Sequence, residues 1–167
     1  MRTIEECRHL PALAQTLWAE RHLVEHLLYK LVAANLMLAA DDRRFVSRAL
    51  DEVDAVVERL WDAERARSSA VAEVARHWRV PADEVTLSRL GSECPEPWGS
   101  MFDEHRDAFD RMTAEIERTA DDNRRLASVA LSDIRASLAA LSGPQARTDT
   151  ARGQPVGHRT SRSAWTG

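Results

Sequence analysis

The stretch LVAANLMLAADDRRFVSRALDEV, from Leu31 to Val53, decides the fold because it sets one short polar turn between two helical segments. The segments on either side are rich in Ala, Leu, Glu and Arg, and residues 12 to 80 contain neither glycine nor proline. Long spans without these breakers favour helix. In the turn itself, AADDRR, Asp41 or Asp42 is placed to cap the second helix. The sequence therefore predicts an antiparallel helical hairpin.

Both helices of the hairpin carry apolar residues at spacings of three and four, the heptad pattern of helices that pack lengthwise. In the first helix this seam consists of Leu10, Leu13, Leu17, Glu20, Val24, Leu27, Leu31, Ala34 and Leu38. In the second helix it consists of Val46, Leu50, Val53, Val57, Leu60, Glu64, Arg67, Val71, Val74 and Trp78. Glu64 and Arg67 stand where leucine is expected, and we interpret them as a pair that lies on the helix surface or fixes the register.

The first helix also has a second apolar stripe, which requires another partner because one neighbouring helix covers only one stripe. This stripe consists of Trp18, Leu28, Tyr29, Val32 and Leu36. After a loop with one short helical turn, a third helix is predicted from Ser100, where Asp103 completes a capping-box pattern, to the stop signal Gly143-Pro144. The predicted fold is all-α: an elongated antiparallel three-helix bundle in which a coiled-coil-like hairpin packs with a long C-terminal helix.

Charge is distributed unevenly along the chain, whose formal net charge is −4. Four arginines and one aspartate from Pro144 onward give that segment +3, which leaves −7 on the rest. An acidic body argues against nucleic-acid binding. We expect a helical domain in residues 1–143 and a disordered basic tail in residues 144–167, where Trp165 is the only large apolar residue.

The sequence favours a cytoplasmic protein with reduced thiols. Charged residues in the N-terminal sequence MRTIEECRHL stand where a secretory signal would have its apolar core. The two cysteines, Cys7 and Cys94, are far apart in sequence, and no stretch approaches the length of a membrane-spanning helix. We therefore expect no insertion into a membrane.

The sequence HLVEH, His22 to His26, matches the H-x-x-E-H pattern of a class of zinc peptidases. Such a site needs a third ligand on another segment, and no later helix offers one. The two histidines lie roughly opposite the leucine seam, so we interpret them as part of a solvated polar face and expect no metal. Paired carboxylates, a nucleophile constellation and a glycine-rich phosphate loop do not occur either, so we expect neither an enzyme nor a cofactor.

The sequence VAEVARHWRVPADEVTLSRL, Val71 to Leu90, resembles a helix-turn-helix. Its recognition helix would carry Glu84, Thr86, Ser88 and Arg89, so a DNA-binding regulator is one alternative function. Phosphate contacts supply most of the affinity of such a helix, and here acidic residues surround it. The other interpretation is that the second helix simply ends at the Val-Pro pair, because the residue before proline disfavours helical geometry.

The C-terminal helix carries more apolar surface than one neighbouring helix covers. Its continuous face consists of Phe102, Phe109, Met112, Ile116, Leu126, Ala130, Ile134 and Leu141, interrupted by Thr119 and Asn123. Plotted at 100° per residue, its last part is apolar over about half the circumference. Val129 and Leu131 flank the stripe on either side, and together with Leu126, Ala130, Ile134, Leu138 and Leu141 they form this widened apolar face.

A structural coiled-coil adaptor is a further alternative for the function of the chain. Besides that, the surface itself has two explanations: the first is that the first helix and a homodimer partner cover it. The second is a groove for an amphipathic helix from another protein, which makes these seven residues a candidate binding site.

Four stretches, in this order and spacing, carry a resemblance to a known family. LVEHLLYKLVAANLMLAADD is similar to its leucine-rich first helix and acidic turn, and LDEVDAVVERLWDAERAR to its second helix, which ends in Glu-x-x-Arg. VAEVARHWRVPADEVTLSRL is similar to the following small-residue helix and Val-Pro turn, and DDNRRLASVALSDIRASLAAL to the Asn-x-x-Leu start and apolar run of its last helix. From about Leu10 to Leu141 the chain thus resembles the FlgN family of flagellar type III export chaperones.

The resemblance implies a small cytosolic chaperone without catalytic activity. Such chaperones bind the amphipathic C-terminal regions of the hook–filament junction proteins FlgK and FlgL and deliver them to the export gate. In this family the C-terminal helix is associated with substrate binding, which agrees with the excess apolar surface on the last helix. The implied mechanism is physical: a groove covers an apolar segment that would otherwise self-associate.

Overall fold

Three long helices form most of the protein, whose computed structural model describes residue 3 and residues 7–142. They are α1 (Leu10–Ala39), α2 (Val46–Trp78) and α4 (Trp98–Ser142). A 3-10 turn at Ala82–Glu84 and the short helix α3 (Leu87–Glu93) connect α2 to α4. No strand occurs in the described part of the chain, and the predicted all-α bundle is confirmed. The predicted tail, residues 144–167 with Trp165, lies outside the described residues.

The helices α1 and α2 form the predicted antiparallel hairpin. Arg67 of α2 meets Glu20 of α1, and Glu52, nearer the start of α2, meets Lys30, nearer the end of α1. The Lys30 ammonium donates to Glu52 Oε2 at 2.7 Å, and this bond lowers the pKa of Glu52. The two ion pairs therefore fix the register of the hairpin on both sides of its middle.

The turn between α1 and α2 does not cap α2 as predicted. Phe45 precedes the helix, and no side chain accepts a hydrogen bond there from the first turn. Asp41 accepts instead from Arg43 Nε at 2.6 Å, and Asp42 accepts from Arg44 Nε at 2.9 Å. The prediction of an aspartate cap was wrong because arginines two residues further on bind both carboxylates.

The segment between α2 and α4 is more ordered than the predicted loop. Helix α2 ends at Trp78, and Arg79 follows in the left-handed region at φ 56°. The Thr86 side chain then caps α3 by accepting from the Arg89 N–H at 3.2 Å. Leu90 of α3 is fully buried, so this short helix contributes to the core.

Helix α4 begins at Trp98, two residues before the predicted start. Ser100 does not cap it, because the Ser100 hydroxyl bonds to Glu96 Oε2 at 2.6 Å and to the Pro97 carbonyl. Asp103 pairs with Arg106 at 2.6 Å instead of bonding back to residue 100. The predicted capping box was therefore wrong, since both of its side chains have other partners.

The hydrophobic core lies where α1, α2, α3 and the first turns of α4 meet. The buried side chains that form it are Cys7, Leu10, Leu13, Leu17, Val74, Ala75, Trp78, Val85, Leu90, Cys94 and Phe102. Burial of this kind stabilises a fold by roughly 1.5–3 kcal/mol for each large aliphatic or aromatic side chain. This cluster is thus the main source of stability in residues 1–127.

Helix α4 packs on α1 with the same chain direction. Trp18 meets His105 edge to face at 4.7 Å between ring centroids, and Asn123 Nδ2 donates to the Leu31 carbonyl at 3.0 Å. The second stripe of α1 is nevertheless incompletely covered, since Tyr29 and Leu36 are 63% and 65% exposed. The third helix that this stripe predicts is thus present, but it leaves Tyr29 and Leu36 largely exposed.

The chain divides into two compact units, the first ending at Ala127 and the second beginning at Ser128. The described part of the second unit, residues 128–142, consists of the last turns of α4.

His105 makes the stability of residues 1–127 depend on pH. Its ring is 1% exposed, and neither ring nitrogen has a hydrogen-bond partner within the described residues. Burial lowers the pKa of His105, the charge of Arg21 lowers it further, and Glu104 partly opposes both. The folded protein therefore binds this proton less readily than the unfolded chain. The contribution of the neutral His105 ring to the free energy of unfolding is complete above about pH 6.5, and it is lost as the pH falls below that value.

We expect the free energy of unfolding to fall as the pH is lowered from 7.5 to 5.5. The expected decrease is up to about 1.4 kcal/mol for each pH unit below 6.5. Urea unfolding followed by circular dichroism measures it. His105→Leu should lose this dependence, whereas His22→Leu, at an exposed position of α1, should keep it. Equal pH dependence in the parent protein and His105→Leu would contradict the assignment.

Candidate functional site

Large apolar side chains are exposed along the last turns of α4. Val129, Leu131, Ile134, Leu138 and Leu141 are between 39% and 71% exposed, and Leu126 and Ala130 are partly exposed. A solvent-exposed helix of this length normally limits its apolar residues to the face that packs. We call residues Leu126, Val129, Ala130, Leu131, Ile134, Leu138 and Leu141 the α4 apolar surface.

Within the α4 apolar surface, four residues form a main stripe and Val129 lies apart from it. Leu131, Ile134, Leu138 and Leu141 follow one another at spacings of three, four and three, so they share one face over about 15 Å of helix. Val129 points at least about 120° away from each of these four at 100° per residue. A single helical partner can therefore contact the main stripe lengthwise, with Val129 outside that contact.

Asn123 is the last position of α4 that is buried among the residues described up to Leu141. Its Nδ2 donates to the Leu31 carbonyl, while its Oδ1 is buried without a partner in the described part of the chain. Thr119, the other polar interruption of the predicted face, donates to the carbonyl of Glu115 in its own helix. Of the two polar residues in this face, Asn123 is thus the one that joins α4 to α1.

Arg67 of α2 lies closer to Glu20 of α1 than to Glu64 of its own helix. Its Nε lies 2.8 Å from Glu20 Oε2, whereas its Nη2 lies 3.9 Å from Glu64 Oε1. Burial raises the pKa of Glu20, and Arg67 opposes that rise. The sequence pattern placed Glu20 and Arg67 on the two facing seams, but it did not predict that they pair.

The HLVEH segment lies on the surface of α1. His22 is exposed, and its Nδ1 lies 3.5 Å from Glu25 Oε2, while His26 stacks on Tyr29 at 6.4 Å between ring centroids. No group of three or more His, Cys, Asp or Glu side chains in residues 7–142 is placed to hold a metal ion. These histidines therefore contact their own helix neighbours.

The helix-turn-helix candidate lacks an available basic residue on its second helix. Arg89 Nε donates to Glu93 at 2.6 Å, and Arg89 Nη1 donates to Glu84 at 2.5 Å. These bonds raise the pKa of Arg89. The Thr86 hydroxyl caps α3, and α3 has only seven residues. Two carboxylates thus neutralise the guanidinium that a phosphate contact would need.

None of the helices in the described residues is both long enough and apolar enough to cross a membrane.

The fold and the α4 apolar surface together define a class of protein, the helical bundles with exposed apolar side chains on one long helix. A family model described as FlgN protein matches residues 1–156. The chain therefore belongs to the FlgN family of flagellar export chaperones. Comparisons with curated proteins and with solved structures found no significant match.

Proposed function

We propose that this protein is a cytoplasmic chaperone of flagellar type III export for the hook–filament junction proteins FlgK and FlgL. It binds their amphipathic C-terminal regions on the α4 apolar surface and delivers them to the export gate. The observation that carries the proposal is the exposure of Leu131, Ile134 and their neighbours in a chain of the FlgN family.

Binding on this surface follows the helix-in-groove mode, in which an amphipathic helix lays its apolar side against an exposed apolar face. Each large side chain that becomes fully buried contributes up to roughly 1.5–3 kcal/mol, and less where it is already half covered. Apolar contacts of this kind tolerate more than one client, because they depend on spacing and not on individual hydrogen bonds.

Release follows from the same physics and needs no chemical step. A client segment that folds when it binds loses conformational entropy, which limits the affinity. An export gate that competes for the segment can therefore remove it. Until then the covered segment is kept from associating with other copies of itself.

A co-purification experiment tests this function. The tagged full chain is expected to retain C-terminal fragments of FlgK or FlgL, since the apolar side chains of these fragments become buried against the α4 apolar surface. Fragments of equal length from the middle of the same junction proteins are the matched controls and should wash off. Failure to retain the C-terminal fragments of both FlgK and FlgL would reject the proposed function.

A homodimer is the competing occupant of the α4 apolar surface. Light scattering of the purified chain with and without client measures the mass of each species. A monomer that forms a one-to-one complex supports the proposal, whereas a stable dimer that excludes the client fragments contradicts it.

A further inference from the structure

Charge adjoins the main stripe of the α4 apolar surface on one side only. Asp133 and Arg135 are the two charged side chains in residues 126–141, although charged residues make up 30% of the whole chain. At 100° per residue, Arg135 lies about 40° around the helix from Leu131, which forms one edge of the main stripe. Asp133 lies about 80° beyond Leu141, which forms the other edge. Within residues 126–141 the main stripe therefore has one cation beside it and no anion.

The two edges of the main stripe differ in what a partner helix meets there. Ser128 lies on the same edge as Arg135, whereas the opposite edge has Ala130 and Ser137. A helix that packs lengthwise on the stripe places one of its own flanks against each edge, as in a coiled coil. One flank of such a helix therefore meets a guanidinium, and the other flank meets small uncharged side chains.

Arg135 has no acidic neighbour along its own helix. Side chains pair along a helix at spacings of three and four residues. The residues at these spacings from Arg135 are uncharged: Leu131, Ser132, Leu138 and Ala139. Its guanidinium forms no ion pair or hydrogen bond within the described residues, whereas Arg124 and Arg125 each pair with an aspartate three residues before. The charge of Arg135 is thus available to a partner.

We infer that the client helix carries an acidic side chain beside its apolar face and that this side chain pairs with Arg135, an inference that rests on the proposed binding of a helix to the main stripe. Arg135 stands between Leu131 and Leu138 along the helix, so the pair forms near the middle of the contact. An exposed ion pair changes the affinity only a fewfold. Its main effect is on specificity, because a basic side chain at the same place is repelled.

The same pair sets the direction in which the client lies. The main stripe has spacings of three, four and three residues, which read the same in both directions, so this apolar pattern favours neither. Reversing a helix on the stripe exchanges its two flanks. The acidic side chain then faces Ala130 and Ser137 and loses its pair with Arg135. A client with acidic residues on one flank is therefore bound preferentially in one direction.

The experiment uses the purified full chain and two synthetic amphipathic helices as probes. Both probes have the same leucine heptads and glutamine at the flanking positions, except for one central flanking position that is glutamate in the first probe and lysine in the second. Isothermal titration calorimetry in about 0.1 M salt, where charges more than about 10 Å away are screened, measures both affinities. We expect the parent protein to bind the glutamate probe about threefold more tightly than the lysine probe.

Arg135→Glu should reverse this order and change the ratio of the two affinities by about tenfold, because each attraction becomes a repulsion. Asp133→Lys is the matched control. It changes the charge by the same amount at an exposed position farther from the stripe, and it should leave the ratio within about twofold of the parent value. In about 1 M sodium chloride the ratio should approach one while both probes stay bound, since salt screens charges and not apolar contacts. Circular dichroism checks that both variants keep the helix content of the parent protein.

A nitroxide label at the N-terminus of each probe reports the direction of binding. In spectra of the ¹⁵N-labelled chain, the glutamate probe should broaden amide signals mainly at one end of the stripe, near either Leu131 or Leu141. A third probe with the glutamate on its opposite flank should broaden signals mainly at the other end. Equal affinities of the glutamate and lysine probes, or the same direction for both glutamate probes, would overturn the role of Arg135 and leave the proposed function intact. Absence of binding by every probe would instead reject the stripe as a site for helices, and the role of Arg135 with it.

Discussion

Replacing Phe102 with alanine is expected to lower the free energy of unfolding by about 3–5 kcal/mol. Phe102 has no exposed surface, lies in the core cluster and stacks on Trp98 at 6.3 Å between ring centroids. Removing the ring loses its transfer free energy and leaves a cavity that helices held by several neighbours fill only in part. The total stability of a domain is about 5–15 kcal/mol, so this loss is a large share of it. Urea unfolding monitored by circular dichroism measures the change.

Phe45→Ala is the matched control, since it deletes the same side chain at a position that is half exposed. Phe45 lies at the hairpin turn, where its ring contacts the guanidinium of Arg44 at 5.3 Å. We expect a loss of about 1 kcal/mol or less there. Equal losses in the two variants would contradict the placement of the core at the start of α4.

The bounds of the hairpin helices could be predicted from sequence because the breakers that set them are local. Helix α1 ends at Ala39, where the predicted turn begins, and α2 ends at Trp78, close to the Val80-Pro81 pair that predicts its end, although it begins at Val46, some residues after the predicted aspartate cap. The caps could not be predicted in the same way. Whether Asp42 accepts from the backbone or from Arg44 depends on two competing hydrogen bonds of similar strength, and the sequence does not rank them.

The seam of α2 shows how helical periodicity limits such predictions. The heptad series places Leu50 and Val57 on the packing face, but Leu50 is about half exposed and Ala49 and Val56 are buried. A straight helix has 3.6 residues per turn, so a strict heptad series drifts by about 20° every seven residues. Near the turn this drift moves the packing face by one residue, which a one-dimensional pattern does not reveal.

The role of His105 also depended on tertiary packing. Its spacing of three from Phe102 and four from Phe109 was available in the sequence, yet a histidine on an amphipathic helix is ordinarily at the surface. The ring is buried because Trp18 of α1 lies over it. The excess apolar residues of α4, by contrast, were evident from the helical wheel alone. Their exposure agrees with that pattern, and their role in client binding stays a prediction.

The combined substitution Leu131→Asp and Ile134→Asp is expected to weaken the binding of a FlgK or FlgL C-terminal fragment by about 100-fold or more. Both residues lie on the main stripe of the α4 apolar surface, where a client helix would bury them. Each aspartate removes an apolar contact and must be desolvated beside apolar side chains, and a combined cost of about 3 kcal/mol corresponds to this factor. Isothermal titration calorimetry with the purified full chain measures the affinity.

Ser132→Asp with Ala139→Asp is the matched control, because both residues are exposed and lie outside the main stripe, at least about 80° around the helix from each of its four residues. The two pairs add the same charge and impose a similar loss of helix propensity, so a difference between them reports the apolar contact alone. All four positions are exposed, and we expect thermal unfolding of both variants to stay close to that of the parent protein. Equal weakening by the two pairs would show that charge or helix propensity governs binding. Undiminished binding by the folded Leu131→Asp, Ile134→Asp variant would contradict the assignment of client binding to this surface. Two charges in the middle of an apolar contact cannot leave the free energy of binding unchanged.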